Sequence, residues 1–440
     1  MRWTYFPLIF LFLSACQASR PTPEEALRAR LDSVLTHVCQ VYDLPGLAVG
    51  VIKGDHVVYA RGFGLRKLGT LDPVSAQSSF HMASVSKPFV AMAILQLVEK
   101  GQVSLDSPLV RYIPYFTMAD PRYTKVTIRQ MLTHTSGFPD VTDYGWDRPQ
   151  YDDGALERYI RDSVSHCTLL SDPGTKFAYS NMAYDVLADV VAAVSGTTFE
   201  TYMKTHLFDP CKMRNSTFTV KDIPPDLATS PHVLGNSCHF EVSDLYPYNR
   251  CHAGSSTLHS NVEDMLAWEL MILRGGEGVL SPRSLTTMLT PQYKLDSNSS
   301  DGLGLFIDTW NHKKLVSHSG SDVGYSSYVG MIPEDSVGIV FMSNLHRFVP
   351  YETLTYLLIS TIYNYPFPEL RKPITARITP LICTEGFEKA RQTYFQLKKD
   401  SAAAYDFSPH WLNALELSYR RLGNVQLADQ VRELRAGKNP

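Results

Sequence analysis

Ser84 and Lys87 stand three residues apart at the start of an apolar segment that ends at Gly101. At this spacing two residues of a helix share a face, so the Lys87 amine can lie against the Ser84 hydroxyl. Serine is a poor nucleophile unless a neighbouring group takes its proton, and a helix N-terminus supplies N–H groups to a developing oxyanion. The pair predicts a serine nucleophile. The alternative is a helix-capping serine beside an exposed lysine.

A second group with catalytic potential is Tyr179 with Asn181, just before a helix predicted from Asp185 to Val194. A phenol beside an ammonium group can lose its proton below its ordinary pKa and act as a general base. The Asn181 amide can bind a substrate carbonyl or hold Lys87. The alternative is a buried tyrosine followed by a helix-capping asparagine.

A third group, His318-Ser319-Gly320-Ser321, is predicted at the end of a strand. Gly320 would let a substrate backbone approach closely. His318 could donate to a substrate carboxylate, and the backbone N–H of Ser321 is a candidate oxyanion donor. The alternative is a solvent-facing histidine in a strand-end turn. His252-Ala253-Gly254 has the same pattern but precedes a helix cap, so His318 is preferred.

Taken in order, these motifs read S-x-x-K, Y-x-N and H-x-G, and residues 126–137 read VTIRQMLTHTSG. In this combination the chain resembles the serine β-lactamase and penicillin-binding superfamily, in its class C-like branch. The resemblance runs roughly from Leu44 to Asn344. It implies that His134, within the flanking stretch, is structural rather than catalytic.

The resemblance also implies a mechanism. Ser84 attacks an amide or ester carbonyl, Lys87 and Tyr179 move its proton, and water hydrolyses the acyl-enzyme. Oxyanion donors would be the N–H groups of Ser84 and Ser321. An H-x-G third motif occurs in D-alanyl-D-alanine carboxypeptidases, D-amino-acid peptidases and some esterases of the superfamily, so efficient β-lactam hydrolysis is not expected.

The function predicted is therefore a peptidase or amidase of D-amino-acid or muropeptide-like substrates. Alternatives are a carboxylesterase or weak β-lactamase on the same scaffold, and a non-catalytic penicillin-binding or interaction protein. The expected partner is a small peptide, amide or ester, and no cofactor or metal is expected. The net charge of −3 and the lack of a basic stripe argue against nucleic acid.

These residues must be positioned by a scaffold. Strand patterns occur at both ends of the domain. The pattern between them is helical, from about Val103 to Arg283. The strands are predicted at Gly46 to Gly50, Val57 to Gly62, Leu315 to His318, Tyr325 to Ile332, and Val337 to Ser343. This order predicts an α+β fold: an antiparallel sheet built from N- and C-terminal parts, flanked by helices, with an inserted all-helical subdomain.

The domain boundaries expected are a hydrolase domain over 22–365, a proline-interrupted linker over 366–380 and a helical segment over 381–440. The helical segment is predicted as helices from Thr384 to Lys399 and from Trp411 to Ala436. Gly423 and Ala428 suggest a tetratricopeptide-like hairpin, although such arrays need about three repeats. The partner of these helices is not evident from the sequence.

The first 15 residues are interpreted as a lipoprotein signal peptide. Arg2 precedes an apolar run from Tyr5 to Leu13, which is too short to span a bilayer, and Leu13-Ser14-Ala15-Cys16 resembles a lipobox. Cys16 would be acylated and anchor the chain on the periplasmic side of a bacterial envelope. Gln17 favours the outer membrane. The alternative is an ordinary secretory signal in which Cys16 has no role.

Six further cysteines could form bridges in an oxidising periplasm, and sequence alone does not fix their pairing. A Cys238–Cys251 disulfide near the cleft is the first expectation. Free thiols are a second possibility. Zinc held by Cys238-His239 and Cys251-His252 is a third, although this spacing is unusual for zinc ligands.

Overall fold

A computed structural model describes residues 21–367 and 369–437. The helices in chain order are α1 (Pro23–Tyr42), α2 (Ser86–Glu99), α3 (Ile128–Leu132), α4 (Ala155–Asp162), α5 (Asn181–Ser195), α6 (Phe199–Met203), α7 (Asp209–Cys211), α8 (Val262–Leu273), α9 (Pro282–Met288), α10 (Tyr351–Tyr363), α11 (Ile374–Glu385), α12 (Phe387–Asp400), α13 (Pro409–Arg421) and α14 (Val425–Arg435).

The strands are β1 (Gly46–Lys53), β2 (His56–Gly64), β3 (Phe80–His81), β4 (His232–Leu234), β5 (Phe240–Val242), β6 (His259–Ser260), β7 (Tyr293–Lys294), β8 (Ser299–Asp301), β9 (Phe306–Trp310), β10 (Lys313–Asp322), β11 (Tyr325–Ile332), β12 (Val337–Ser343), β13 (Lys372–Pro373) and β14 (Tyr405–Asp406).

One antiparallel sheet of eight strands, in the order β2-β1-β12-β11-β10-β9-β8-β7, forms the centre of the molecule. Strand β1 from the N-terminal part pairs with β12 from the C-terminal part, with Val49 opposite Phe341. The helices α2 to α9 come between these halves in sequence. The α+β fold predicted from the motif order and strand pattern is therefore confirmed.

Apolar residues cover both faces of this sheet. In β1, Ala48 and Ile52 face the core shared with the helical subdomain, whereas Leu47, Val49 and Val51 face the core shared with α1, α10 and the C-terminal helices. Side chains of a strand alternate between faces, so a strand covered on both sides is apolar throughout. Within this framework β10 contacts the turn at residues 83–85 that precedes α2.

The C-terminal segment differs from its prediction in two places. The expected linker contains the start of α11, which continues through Pro380. The single helix expected from Trp411 is two helices, because Gly423 takes a left-handed conformation (φ 73°) between α13 and α14. Both helices pack into the core that lies between the sheet, α1 and α10. Trp411 stacks on Tyr42 of α1 with ring centroids 5.5 Å apart. The segment therefore packs directly onto the sheet.

Cys238 is bonded to Cys383, so the predicted Cys238–Cys251 bridge is wrong. Cys238 lies in the β4–β5 hairpin, which packs on the C-terminal helices. Cys251 lies buried in a turn of the helical subdomain and is a free thiol. Proximity in sequence suggested the pair, but Cys238 is bonded to a residue of α11, 145 positions away.

Removing this bridge should measurably destabilise the protein. The bonded cysteines are 145 residues apart. The chain-entropy model gives about 5 kcal/mol for a loop of this length, and removing a native disulfide typically costs about 2–5 kcal/mol. We expect Cys238→Ala/Cys383→Ala to lower the free energy of unfolding by that amount in denaturant titrations, while Cys167→Ala, which alters a free thiol, changes it little. Peptide mapping that finds Cys238 joined to Cys251 would contradict the assignment.

No single helix among residues 21–367 and 369–437 is long and apolar enough to cross a membrane; a bent pair, Asn181–Ser195 with Phe199–Cys211, passes on length and composition only.

Candidate active site

Ser84 lies in a tight turn, Ala83–Val85, that leads into α2. The helix predicted to start near Ser84 begins at Ser86. Ala83 has a left-handed backbone (φ 48°), a strained conformation for a residue with a side chain. The turn is held by the Ser86 hydroxyl, which donates to the Ala83 carbonyl and accepts from the Leu258 N–H. The nucleophile candidate is thus fixed by buried backbone contacts.

The Lys87 amine lies directly beneath this turn. Its Nζ is 2.9 Å from the Ser84 hydroxyl oxygen, 2.6 Å from the Asn181 side-chain oxygen and 3.0 Å from the Ser255 carbonyl. Lys87 is fully buried. Burial lowers its pKa to about 7, an effect that nearby carboxylates, Asp185 foremost, only partly oppose. A neutral amine at this position can accept the Ser84 proton.

Tyr179 completes the group around the serine. Its hydroxyl is hydrogen-bonded to Ser84, and Lys87 Nζ lies 4.9 Å from its ring centroid. The expectation of a depressed phenol pKa is wrong: burial raises the pKa of Tyr179, and the bond to Ser84 offsets only part of that rise. The phenol therefore stays protonated, which makes it a proton donor, and Lys87 is the better base.

Asn181 is the first residue of α5, which Ser180 caps, rather than part of the preceding loop. Its side-chain oxygen accepts from Lys87, while its backbone N–H and its amide group donate to Asp140 at 2.8 and 3.0 Å. Two roles were predicted for Asn181: to bind a substrate carbonyl or to hold Lys87. The contacts show that it holds Lys87.

His318 lies within strand β10, which continues to Asp322, and not at a strand end as predicted. The imidazole is buried, and its Nδ1 hydrogen-bonds the Ser319 carbonyl at 2.7 Å. Burial lowers its pKa to about 3, with Lys87 contributing in the same direction. The ring is therefore neutral at ordinary pH. It borders the cleft beside Tyr179, with centroids 6.5 Å apart.

Gly320 is needed for packing inside the chain. A Cβ added there would lie 2.1 Å from the Met82 carbonyl oxygen and 3.1 Å from the Ser84 backbone nitrogen. Gly320 was predicted to let a substrate backbone approach closely. The backbone that approaches it is instead that of the turn carrying Ser84. Ser321 follows at the exposed rim, on the same side of the turn as Ser84.

An open cleft of about 570 Å³ brings the three sequence motifs together. Ser84, Tyr179, Asn181, His318 and Ser321 line it, so distant parts of the sequence meet at one reactive hydroxyl.

A family model described as beta-lactamase matches residues 31–361, three quarters of the chain. The chain belongs to the β-lactamase family.

Three relatives show how this β-lactamase-family chain compares with known proteins. Protein flp of Staphylococcus aureus (strain MW2) is 25% identical over 332 residues, which cover 73% of this chain and 64% of that protein. Penicillin-binding protein 4* of Bacillus subtilis (strain 168) is 26% identical, covering 74% and 73%. The octameric penicillin-binding protein homologue from Pyrococcus abyssi superposes with a TM-score of 0.68 at 26% identity, covering 77% of each chain. The chain thus spans less than two thirds of the length of flp.

Sequence reasoning set aside His252, which the structure places behind the site of this β-lactamase-family fold. Its Nδ1 is 2.8 Å from Asp185, whose other oxygen accepts from the Ser255 N–H at 3.0 Å. Burial opposes charge on the imidazole, but Asp185 raises its pKa to about 10. This pair holds the Ser255 carbonyl against Lys87. The sequence contains a sign of this role, because Asp185 stands four residues after Asn181 and therefore lies on the same helix face.

His134 also serves the site indirectly. Its ring stacks on Tyr179 with centroids 4.2 Å apart, and its Nδ1 accepts from the Ser180 N–H at 3.1 Å. It thereby orients the phenol. Within the described ranges, no group of three or more His, Cys, Asp or Glu side chains is arranged to hold a metal ion.

Proposed function

We propose that this chain is a hydrolase that forms an acyl-enzyme on Ser84 and acts on amide bonds of D-amino-acid or muropeptide-like substrates. The observation that carries the proposal is the contact between the buried Lys87 amine, with its pKa near 7, and the Ser84 hydroxyl at 2.9 Å. Membership of the β-lactamase family supports the reaction class.

In the proposed reaction, the neutral Lys87 amine takes the Ser84 proton while the serine oxygen bonds to the substrate carbonyl carbon. The backbone N–H groups of Ser84 and Ser321 would hold the oxyanion. The protonated Tyr179 phenol donates its proton to the leaving nitrogen as the C–N bond breaks, and regains one from Lys87. Water then attacks the ester with the same groups in reversed roles.

The H-x-G third motif, with its neutral His318, supports peptide and amide donors over β-lactams, because the resemblance links this motif to D-alanyl-D-alanine carboxypeptidases and D-amino-acid peptidases. A carboxylesterase or weak β-lactamase is the alternative on the same scaffold. The relatives named as penicillin-binding proteins support the first choice.

A substrate panel separates these functions. We expect measurable kcat/KM for D-alanyl-D-alanine peptides and D-amino-acid amides, at least about tenfold above that for the L-enantiomers, because a chiral cleft discriminates at the transition state. Short p-nitrophenyl esters and a chromogenic cephalosporin serve as comparison substrates. Rapid ester turnover with no amide turnover for either enantiomer would refute the peptidase proposal and favour the esterase.

We also propose export and lipid anchoring through Cys16, which lies outside the described residues together with the signal peptide. The lipobox-like residues support this, and a Cys238–Cys383 disulfide is typical of an oxidising compartment. In a bacterial expression host, the wild type should fractionate with membranes and Cys16→Ser should appear in the soluble periplasmic fraction. Equal partitioning of the two forms would contradict the anchor.

A further inference from the structure

A second cavity, of about 240 Å³, lies apart from the Ser84 cleft, where α1, the β4–β5 hairpin, α11 and α13 meet. Of the described residues, none that lines the Ser84 cleft also lines this cavity. Two of its walls, α11 and α13, lie beyond residue 361, where the family match ends. The cavity is therefore a feature that the C-terminal helices add to the β-lactamase-family domain.

Two pairs of aromatic side chains contribute to its apolar lining. Tyr42 stacks on Trp411 with ring centroids 5.5 Å apart, and Phe240 packs against Phe348 with centroids 5.3 Å apart. Aromatic rings attract one another beyond the area that they bury, so such walls favour a planar ring over an aliphatic chain. A cavity of about 150 Å³ holds one benzene ring. The cavity in this protein is larger and has room for a bicyclic ring.

The disulfide joins two walls of the cavity. Cys238, on the hairpin, lines the cavity and is bonded to Cys383 of α11. Phe240 stands two residues after Cys238 on the same hairpin and belongs to the aromatic lining. Because these walls are covalently joined, a ligand would enter a site that is already formed, which lowers the cost of ordering on binding.

Buried hydroxyl groups without partners also line the cavity. Thr375 and Thr379, one turn apart on α11, have exposed fractions of only 3% and 6%. Among residues 21–367 and 369–437, neither hydroxyl has a hydrogen-bond partner. Buried hydroxyls in folded proteins are normally paired, because an unpaired one costs free energy. A ligand with a polar group would supply the missing partner.

A backbone acceptor at the same wall follows from a proline inside α11. Pro380 has no N–H, so the helix lacks the hydrogen bond that residue 380 would donate to the Ala376 carbonyl. Both Ala376 and Pro380 line the cavity. A backbone carbonyl is a strong acceptor that is normally paired when it lies away from water. The wall thus offers an acceptor to a ligand that carries an N–H or O–H group.

The charges around the cavity favour a neutral ligand. No lysine or arginine of the described residues lines it. The carboxylate that lines it belongs to Asp43, which is exposed and therefore lies at the mouth. An anionic ligand would have no lysine or arginine to pair with and would meet this carboxylate as it entered.

We propose that this cavity binds a small neutral aromatic molecule of one or two rings that carries an N–H or O–H donor. The rings would lie against the aromatic pairs, and the donor would reach the Ala376 carbonyl. The hydroxyls of Thr375 and Thr379 would serve as further partners. The proposed site shares no lining residue with the Ser84 cleft, so it does not depend on the hydrolase function.

The first test uses the full chain and two probes of the same bicyclic shape: indole, which has an N–H, and benzofuran, which has an oxygen in its place. We expect calorimetry to give a dissociation constant below about 1 mM for indole and one at least about tenfold higher for benzofuran, which leaves the carbonyl unpaired. Pro380→Ala should bring the two constants within about threefold of each other, because its new N–H occupies the Ala376 carbonyl. This variant gains a helical hydrogen bond, so its fold should be kept.

The second test places the ligand in the molecule. Ala376→Phe, at an exposed position on the lining, should fill the cavity and weaken both probes at least about tenfold. Arg377→Ala, the exposed neighbour outside the lining, is the matched control and should bind both probes like the wild type. Trp146→Ala, in the Ser84 cleft, should also leave indole binding unchanged. Thermal unfolding checks that each variant is folded.

Three outcomes would overturn the proposal. The first is a wild type that binds neither probe. The second is equal affinity of the wild type for indole and benzofuran, because the donor would then have no partner. The third is indole binding that persists in folded Ala376→Phe or is lost in folded Trp146→Ala, because the ligand would then lie outside this cavity.

Discussion

Ser84→Ala is expected to remove covalent labelling by fluorophosphonate and fluorescent penicillin probes and to lower kcat on any accepted substrate by about 10⁴-fold or more. The physical reason is that the oxygen which forms the acyl bond is lost, while the donors around it remain. Losses of this size are typical when the nucleophile of a coupled catalytic group is removed. Intact-mass spectrometry after mixing with an acyl donor gives the direct reading.

The matched control for this variant is Ser163→Ala. Ser163 is exposed at the end of α4 and is not among the residues that line the cleft. It should label and turn over like the wild type. Thermal unfolding of Ser84→Ala should stay close to that of the wild type, because Ser86 and Leu258 hold the turn. Labelling that persists in Ser84→Ala would place the nucleophile elsewhere. A wild type that no probe labels would favour the non-catalytic alternative.

Lys87 is expected to set the pH dependence of kcat/KM. Its pKa is lowered to about 7, and the neutral amine is the active form. The rate should therefore fall about tenfold per pH unit well below pH 7, and level off above it. Lys87→Met should lower kcat/KM by about 10²- to 10⁴-fold, the usual contribution of a general base, and abolish this limb.

His318→Gln is the control for assigning the fall of kcat/KM below pH 7 to Lys87. Because the pKa of His318 is about 3, its ionisation does not occur between pH 5 and 8. The variant should keep the limb near pH 7 even if its rate is lower. A limb that vanishes in His318→Gln and persists in Lys87→Met would transfer the base role to the histidine.

Much of the scaffold was predictable because its signals are local. Alternating or continuous apolar runs predicted strands β11 and β12 with their observed bounds. The short strands β7 to β9 were not predicted, since two to five residues carry little periodicity. Two residues that are both good N-caps, Ser260 and Asn261, precede α8, and Asn261 takes the position. Both residue types cap helices well, so local chemistry could not choose between them.

The sequence alone determined which residue types can do chemistry here and in which order they occur: Ser84 with Lys87, Tyr179 with Asn181, and His318 with Gly320. The tertiary structure decided their electrostatic roles, because a pKa depends on burial and on neighbours that fold in from elsewhere. Burial made the amine the base and the phenol the donor, reversing part of the expectation. The packing of distant segments also decided the disulfide partner, which no spacing along the chain encodes.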